Sequence, residues 1–101
     1  MNYHHLKVFY TVVKHKNISK AAEELEVTQP AISRIISSLE KENNIKLFSR
    51  SKSGVNLTSE GIVFYDLIKE PLSELEKIEE KLKYSLNFSR PGVSITISYC
   101  F

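Results

Sequence analysis

Apolar residues near the start of the chain recur at helical spacing, with Leu6, Phe9 and Val13 on one face and Val12 beside them. They predict an amphipathic helix from Asn2 to about His15, broken at Lys16-Asn17. Ile18 begins a connector, and Ser19 is the expected N-cap of a short helix to Leu25 that carries the small pair Ala21-Ala22. Glu26-Val27 make a brief turn without glycine. Thr28 can cap a third helix, with Pro30 in its first turn, where a missing N–H costs nothing. Ile32, Ile36 and Leu39 form its apolar stripe to about Glu42, and Asn43-Asn44 end it because Asn tolerates a left-handed backbone. Two short runs, Ile45 to Arg50 and Val55 to Leu57, flank the turn Ser51-Lys52-Ser53-Gly54 and predict a β-hairpin.

A long helix should follow, capped by Thr58, running to about Asn87 and weakened at Gly61 and Pro71, where a bend is expected. Tyr65, Ile68, Leu72, Leu75, Leu82 and Leu86 fall on heptad a and d positions, with Glu79 the charged exception and Ile78 next to it. Such a stripe can pack on its own domain or on a second helix. The front domain offers little surface to cover it, so a second copy is the simplest partner. Ser89-Arg90-Pro91-Gly92 reads as a break, and Val93, Ile95 and Ile97 then alternate with Ser94, Thr96 and Ser98 as in a half-buried strand. The expected division is a domain at 1–58, a linker and dimerisation helix at 59–88, and at 89–101 a hinge with the first strand of a domain absent from this chain.

Charge sharpens this picture. Residues 1–58 carry nine Lys/Arg against five Asp/Glu, whereas residues 59–101 carry five against seven. A basic front suits phosphate, and an acidic back suits a solvated helix. The 101 residues allow one small domain with an appendage. No apolar run reaches the roughly 20 residues of a membrane helix, and no signal-peptide layout opens the chain. A single cysteine, Cys100, cannot form an internal disulfide and points to a reducing cytoplasm. Catalytic chemistry finds no support, since neither a nucleophile elbow nor a triad pattern is present. His4, His5 and His15 lack companions at ligand spacing and read as surface residues, so neither a metal nor another cofactor is expected. Tyr3, Tyr10 and Tyr65 read as packing or interface residues rather than platforms for bases.

Two helices joined by a tight turn and followed by a basic hairpin describe a mainly α fold, a winged helix-turn-helix with a two-stranded wing and a long dimerisation helix. Ala21 and Ala22 allow the helices to approach, and Ile32, Ile36 and Leu39 hold the second to the core. Its leading face then carries Thr28, Gln29, Pro30, Ser33, Arg34 and Ser37. Gln can pair with adenine and Arg with guanine, Ser serves several groups, and Pro30 can lie against a thymine methyl.

The run Ala21-Ala22-x-x-Leu25-x-Val27-Thr28-Gln29-Pro30-Ala31-Ile32-Ser33-Arg34-x-Ile36-x-x-Leu39-Glu40 resembles the N-terminal signature of bacterial LysR-type regulators. Leu47-Phe48-x-Arg50 and Leu57-Thr58-x-x-Gly61 continue the likeness. The resemblance implies base reading by Gln29, Pro30, Ser33 and Arg34. It implies phosphate or minor-groove contact by Arg50 and Lys52, and backbone contacts by Thr28 and Ser37. It further implies a homodimer through the linker helix, tetramers in a full-length context, and an interrupted palindrome of double-stranded DNA as target. The co-inducer of such regulators binds a C-terminal domain and so could not bind this chain. A rival reading is a truncated dimerisation module that pairs with full-length regulators without productive DNA binding.

Overall fold

The computed structural model describes residues 1–51 and 54–89, with side chains to residue 85. Among them, helices α1 (Tyr3–His15), α2 (Ile18–Leu25) and α3 (Gln29–Asn43) precede a hairpin of β1 (Phe48–Ser51) and β2 (Gly54–Leu57), and α4 (Ser59–Ser89) closes the order. Lys52 and the expected strand at Val93 to Ile97 lie outside the described residues.

Each short helix begins on a side chain that accepts an otherwise unpaired N–H. Asn2 accepts from His5 N at 2.9 Å, Asn17 from Lys20 N at 2.9 Å and Thr28 from Ala31 N at 3.2 Å. The cap of α2 is therefore Asn17 and not the expected Ser19, and Ile18 opens the helix instead of preceding it. Starting there lets Ile18 pack against the core. Helix ends follow a second rule. Lys16, Glu26 and Asn44 adopt left-handed backbone with φ of 53°, 58° and 54°. Around Glu26 and Asn44, paired bonds close the turn: Val27 N to Ala22 O with Glu26 N to Glu23 O, and Ile45 N to Glu40 O with Asn44 N to Lys41 O. Asn44 thus plays the terminating part expected of it.

The core gathers Val8, Phe9, Val12, Ala21, Ala22, Ile32, Ile36, Leu39 and Leu47. The α1 stripe is centred one step from the expected one: Val8, Phe9 and Val12 are buried while Leu6 and Val13 are half-buried. The reason is that α1 touches α2, α3 and α4 at once, so a broad arc of it is covered. Phe9 anchors the centre, its ring 5.3 Å from Phe48 and edge-on to Phe64 at 5.1 Å. Buried Thr11 satisfies its hydroxyl by donating to Lys7 O at 2.8 Å. At the surface, His15 Nε2 lies 2.7 Å and Lys14 Nζ 3.3 Å from Glu24 Oε1, linking α1 to α2; these bonds, His15 first, hold the Glu24 carboxyl below the usual range.

Thr58 binds the hairpin to α4. Its hydroxyl accepts from Gly61 N at 2.9 Å and donates to the Lys46 carbonyl, while its N–H donates to Leu47 O at 3.0 Å. Gly61, which weakens an isolated helix, is required here: a Cβ at this position would lie 2.2 Å from Leu47 O.

The heptad stripe on α4 is divided. Tyr65 stacks on Tyr10 at 5.6 Å with the rings 10° from parallel, Ile68 packs on the core, and Leu72 is only 2% exposed. Burial, with Tyr10 adding to it, pushes the Tyr65 hydroxyl above its ordinary pKa. These three residues, expected to face a second helix, are taken up largely within the chain, because α4 lies against α1 before running past it. Past Leu72 the contact turns polar: Tyr3 donates to Glu79 at 3.0 Å, with Lys7 Nζ 4.0 Å from the same carboxylate. Leu75 and Leu82 remain exposed. Leu86 is in the helix, its side chain outside the described set. A second apolar stripe, Val63, Leu67, Ile78 and Leu82, also faces outward, turned roughly a third of a revolution from the covered one at about 100° per residue.

Candidate nucleic-acid interface

Helix α3 presents its residues in two classes. Ile32, Ile36 and Leu39 point into the core, whereas Thr28, Gln29, Pro30, Arg34 and Ser37 are exposed and Ser33 is half-buried. Close seating on α2 is possible because Ala21 and Ala22 are buried and small. The leading edge of α3 is therefore bare, as the amphipathic pattern requires. Pro30 sits at the first turn, where it interrupts no hydrogen bond, and Thr28 uses its oxygen as the cap acceptor. The remaining N–H groups of that turn give the edge a partial positive charge suited to anions.

Ser33 and Ser37 are turned toward the hairpin and Arg34 away from it. Ser33 and Ser37 line a cleft of about 390 Å³ between α3 and the hairpin, together with Glu40, Lys46, Phe48 and Arg50. Arg34 instead borders a shallow depression against α1, with His5, Ala31, Ile35 and Ser38. Ser33 and Ser37 thus fall on a cleft side and Arg34 on an α1 side.

Arg50 stands on β1 opposite Val55 and is exposed, so the hairpin register directs it to the cleft. Lys46 joins it there, a residue absent from the sequence-derived set. Its only sequence signal is positive charge just before the hairpin; its place across the cleft from Ser37 depends on the fold. Lys7, Lys14 and Lys69 are matched by Glu79, Glu24 and Asp66. Arg34, Lys46 and Arg50 make no ion pair among the described residues, so their charge is available to an anion. No three His, Cys, Asp or Glu side chains gather as a metal site among the described residues. No helix there is long and apolar enough to cross a membrane.

Residues 3–62 match the family described as bacterial regulatory helix-turn-helix protein, lysR family. Over 93% of its length the chain is similar to the RuBisCO operon transcriptional regulator of Allochromatium vinosum, at 38% identity. It is 42% identical over 78 residues to the glycine cleavage system transcriptional activator of Escherichia coli K12, covering 77% of this chain. The chain spans only 32% and 26% of those two relatives. Among solved structures, the BenM DNA-binding domain in complex with catB site 1 DNA is similar over 83% of this chain and 94% of its own, with a TM-score of 0.75 at 36% identity. The helix-turn-helix with its wing, the unbroken family match and these relatives agree: this chain belongs to the LysR family of bacterial regulatory helix-turn-helix proteins.

Proposed function

We propose that this chain binds double-stranded DNA in a sequence-specific manner to regulate transcription, as a dimer. The recognition segment 28–42 enters the major groove, and the wing, 47–57, lies on the backbone and minor groove. The observation that carries this reading is the bare leading edge of α3 standing beside unneutralised Lys46 and Arg50, with its apolar underside buried. The BenM complex supports it, since a similar domain there is bound to DNA.

Gln29, Pro30, Ser33 and Arg34 read base edges in this proposal, and Thr28, Ser37, Lys46, Arg50 and Lys52 contact the backbone. Dimerisation falls to α4, but through the outward stripe Val63, Leu67, Ile78 and Leu82 with exposed Leu75 beside it, because Tyr65, Ile68 and Leu72 are already engaged. Two recognition helices must then meet successive major grooves, which makes an interrupted palindrome the fitting target. Residues 1–58 act as the DNA-binding unit and 59–88 as the linker.

Selection of bound duplexes from a random pool by this chain tests the reading. Recovery of a two-fold symmetric, interrupted motif is the expected result. Recovery of no motif, with the chain nonetheless pairing with a longer regulator on cross-linking, would favour the dimerisation-module reading instead.

A further inference from the structure

Among the residues lining the cleft between α3 and the hairpin, Glu40 is the acid. A carboxylate there opposes a phosphate by like charge, and Glu40 makes no direct ion pair among the described residues. What Glu40 does make is a pair of bonds to backbone. Its Oε2 accepts from Leu47 N at 2.8 Å and from Phe48 N at 3.4 Å. Leu47 immediately precedes β1 and Phe48 opens it, in a sheet of two strands. Thr58 grips the same stretch from the start of α4, through the carbonyls of Lys46 and Leu47. Residues 46–48 are thus clamped between α4 and α3, and Glu40 is the α3 side of the clamp. The two cations of the cleft sit at its borders: Lys46 just before the held amides and Arg50 two residues past them.

We propose that Glu40 is a positioning residue: it fixes the wing cations Lys46 and Arg50 at a set distance from the reading edge of α3, through the Leu47 and Phe48 amides and without touching DNA. The inference rests on the DNA-binding reading above. A side chain on the recognition helix itself makes this link, so the wing follows α3 as one body when the helix seats in a groove. Charge-assisted bonds of this kind are roughly twice as strong as neutral ones, which suits a joint that must hold under the pull of a phosphate.

The test is a double-mutant cycle of E40A with R50A. Binding is measured over a range of salt to a duplex selected by the unmutated chain and to a scrambled duplex. E40A is expected to weaken both duplexes alike, about fivefold, and to flatten the salt dependence as R50A does. Base preference stays unchanged. In the R50A background most of the E40A loss should vanish, because the cation it positions has gone. E40Q keeps an acceptor for the amides and should recover most of the affinity. Full multiplication of the two losses overturns the proposal, as does tighter binding of every duplex by E40A, the result expected if Glu40 only opposes phosphate. Should E40A fail to fold by circular dichroism, E40Q enters the same cycle, and its smaller loss must likewise shrink with R50A. If the unmutated chain selects no duplex, the DNA-binding reading fails first and Glu40 with it.

Discussion

Two residues show how single side chains separate reading from holding. Arg34 is exposed, unpaired among the described residues and set on the α1 side of the bare face. A planar guanidinium there can meet a guanine edge with two parallel bonds. Arg34→Ala, and likewise Gln29→Ala, should therefore relax preference at one base position and cost about 1–3 kcal/mol on the selected duplex, with little change on a scrambled one. Competition binding with single-base variants checks this; equal losses on all sequences would remove these residues from the reading set. Gly61 works in the opposite sense, by being absent. Its missing side chain lets α4 pass the Leu47 carbonyl, where a Cβ would stand at 2.2 Å. That neighbour is backbone already held by Thr58 and cannot move aside cheaply. Gly61→Ala should destabilise the fold by at least about 2 kcal/mol, well beyond the gain in helix propensity, as read in a thermal or urea melt.

At the scale of elements, α4 has two kinds of apolar surface. Leu72 belongs to the covered kind, with 2% exposure, and Leu82 to the open kind, with 57%. Leu72→Ala should cost about 2–4 kcal/mol of stability even in dilute protein, since it empties a packed site within one chain. Leu82→Ala should leave the dilute fold intact and weaken self-association instead. Melts at several protein concentrations, with sedimentation to follow the dimer, tell the two apart; equal behaviour would mean that the helix has one apolar face and not two. The covered stretch also holds α4 to the domain before it runs free: Tyr65, Ile68 and Leu72 are followed by the Tyr3 and Lys7 contacts to Glu79. The Tyr3 hydroxyl is raised above its ordinary pKa by burial and then by that Glu79 bond, so it stays a neutral donor across the physiological range.

For the whole molecule, the arrangement places the proposed reading face and the exposed apolar stripe of α4 on different parts of one body. Helix α4, with 31 residues, spans about 46 Å at 1.5 Å per residue. A pair joined along its outer stripe would carry two reading edges well apart, as an interrupted target demands. Ile78→Glu places a charge in the middle of that stripe. The expected outcome is a folded monomer whose affinity for the selected palindrome falls to that for a half-site, seen by sedimentation and by gel shift together. A variant that stays dimeric would relocate the association surface.

Local chemistry in the sequence was enough for the helices, their order and the free edge of α3. Thr28, Pro30 and Asn44 announce the ends of α3 by type alone, and Ile32, Ile36 and Leu39 state its buried side. The hairpin too was legible from two short apolar runs about a glycine turn. Periodicity names an apolar face, however, without naming what covers it, so Tyr65, Ile68 and Leu72 read as a seam for a second helix although packing within the chain takes up much of their surface. Asn17 and Ser19 are both able caps, and only the pull of Ile18 into the core settles the choice. Lys46 showed only a charge before the hairpin and Glu40 only its place in the family-like run, because their roles depend on distances across a cleft. The sequence by itself determined which segments become helices and where α3 starts, stops and turns oily, since those follow from neighbours along the chain. Only the tertiary structure decided which surfaces are used up and which charges converge, since those depend on groups brought together by folding.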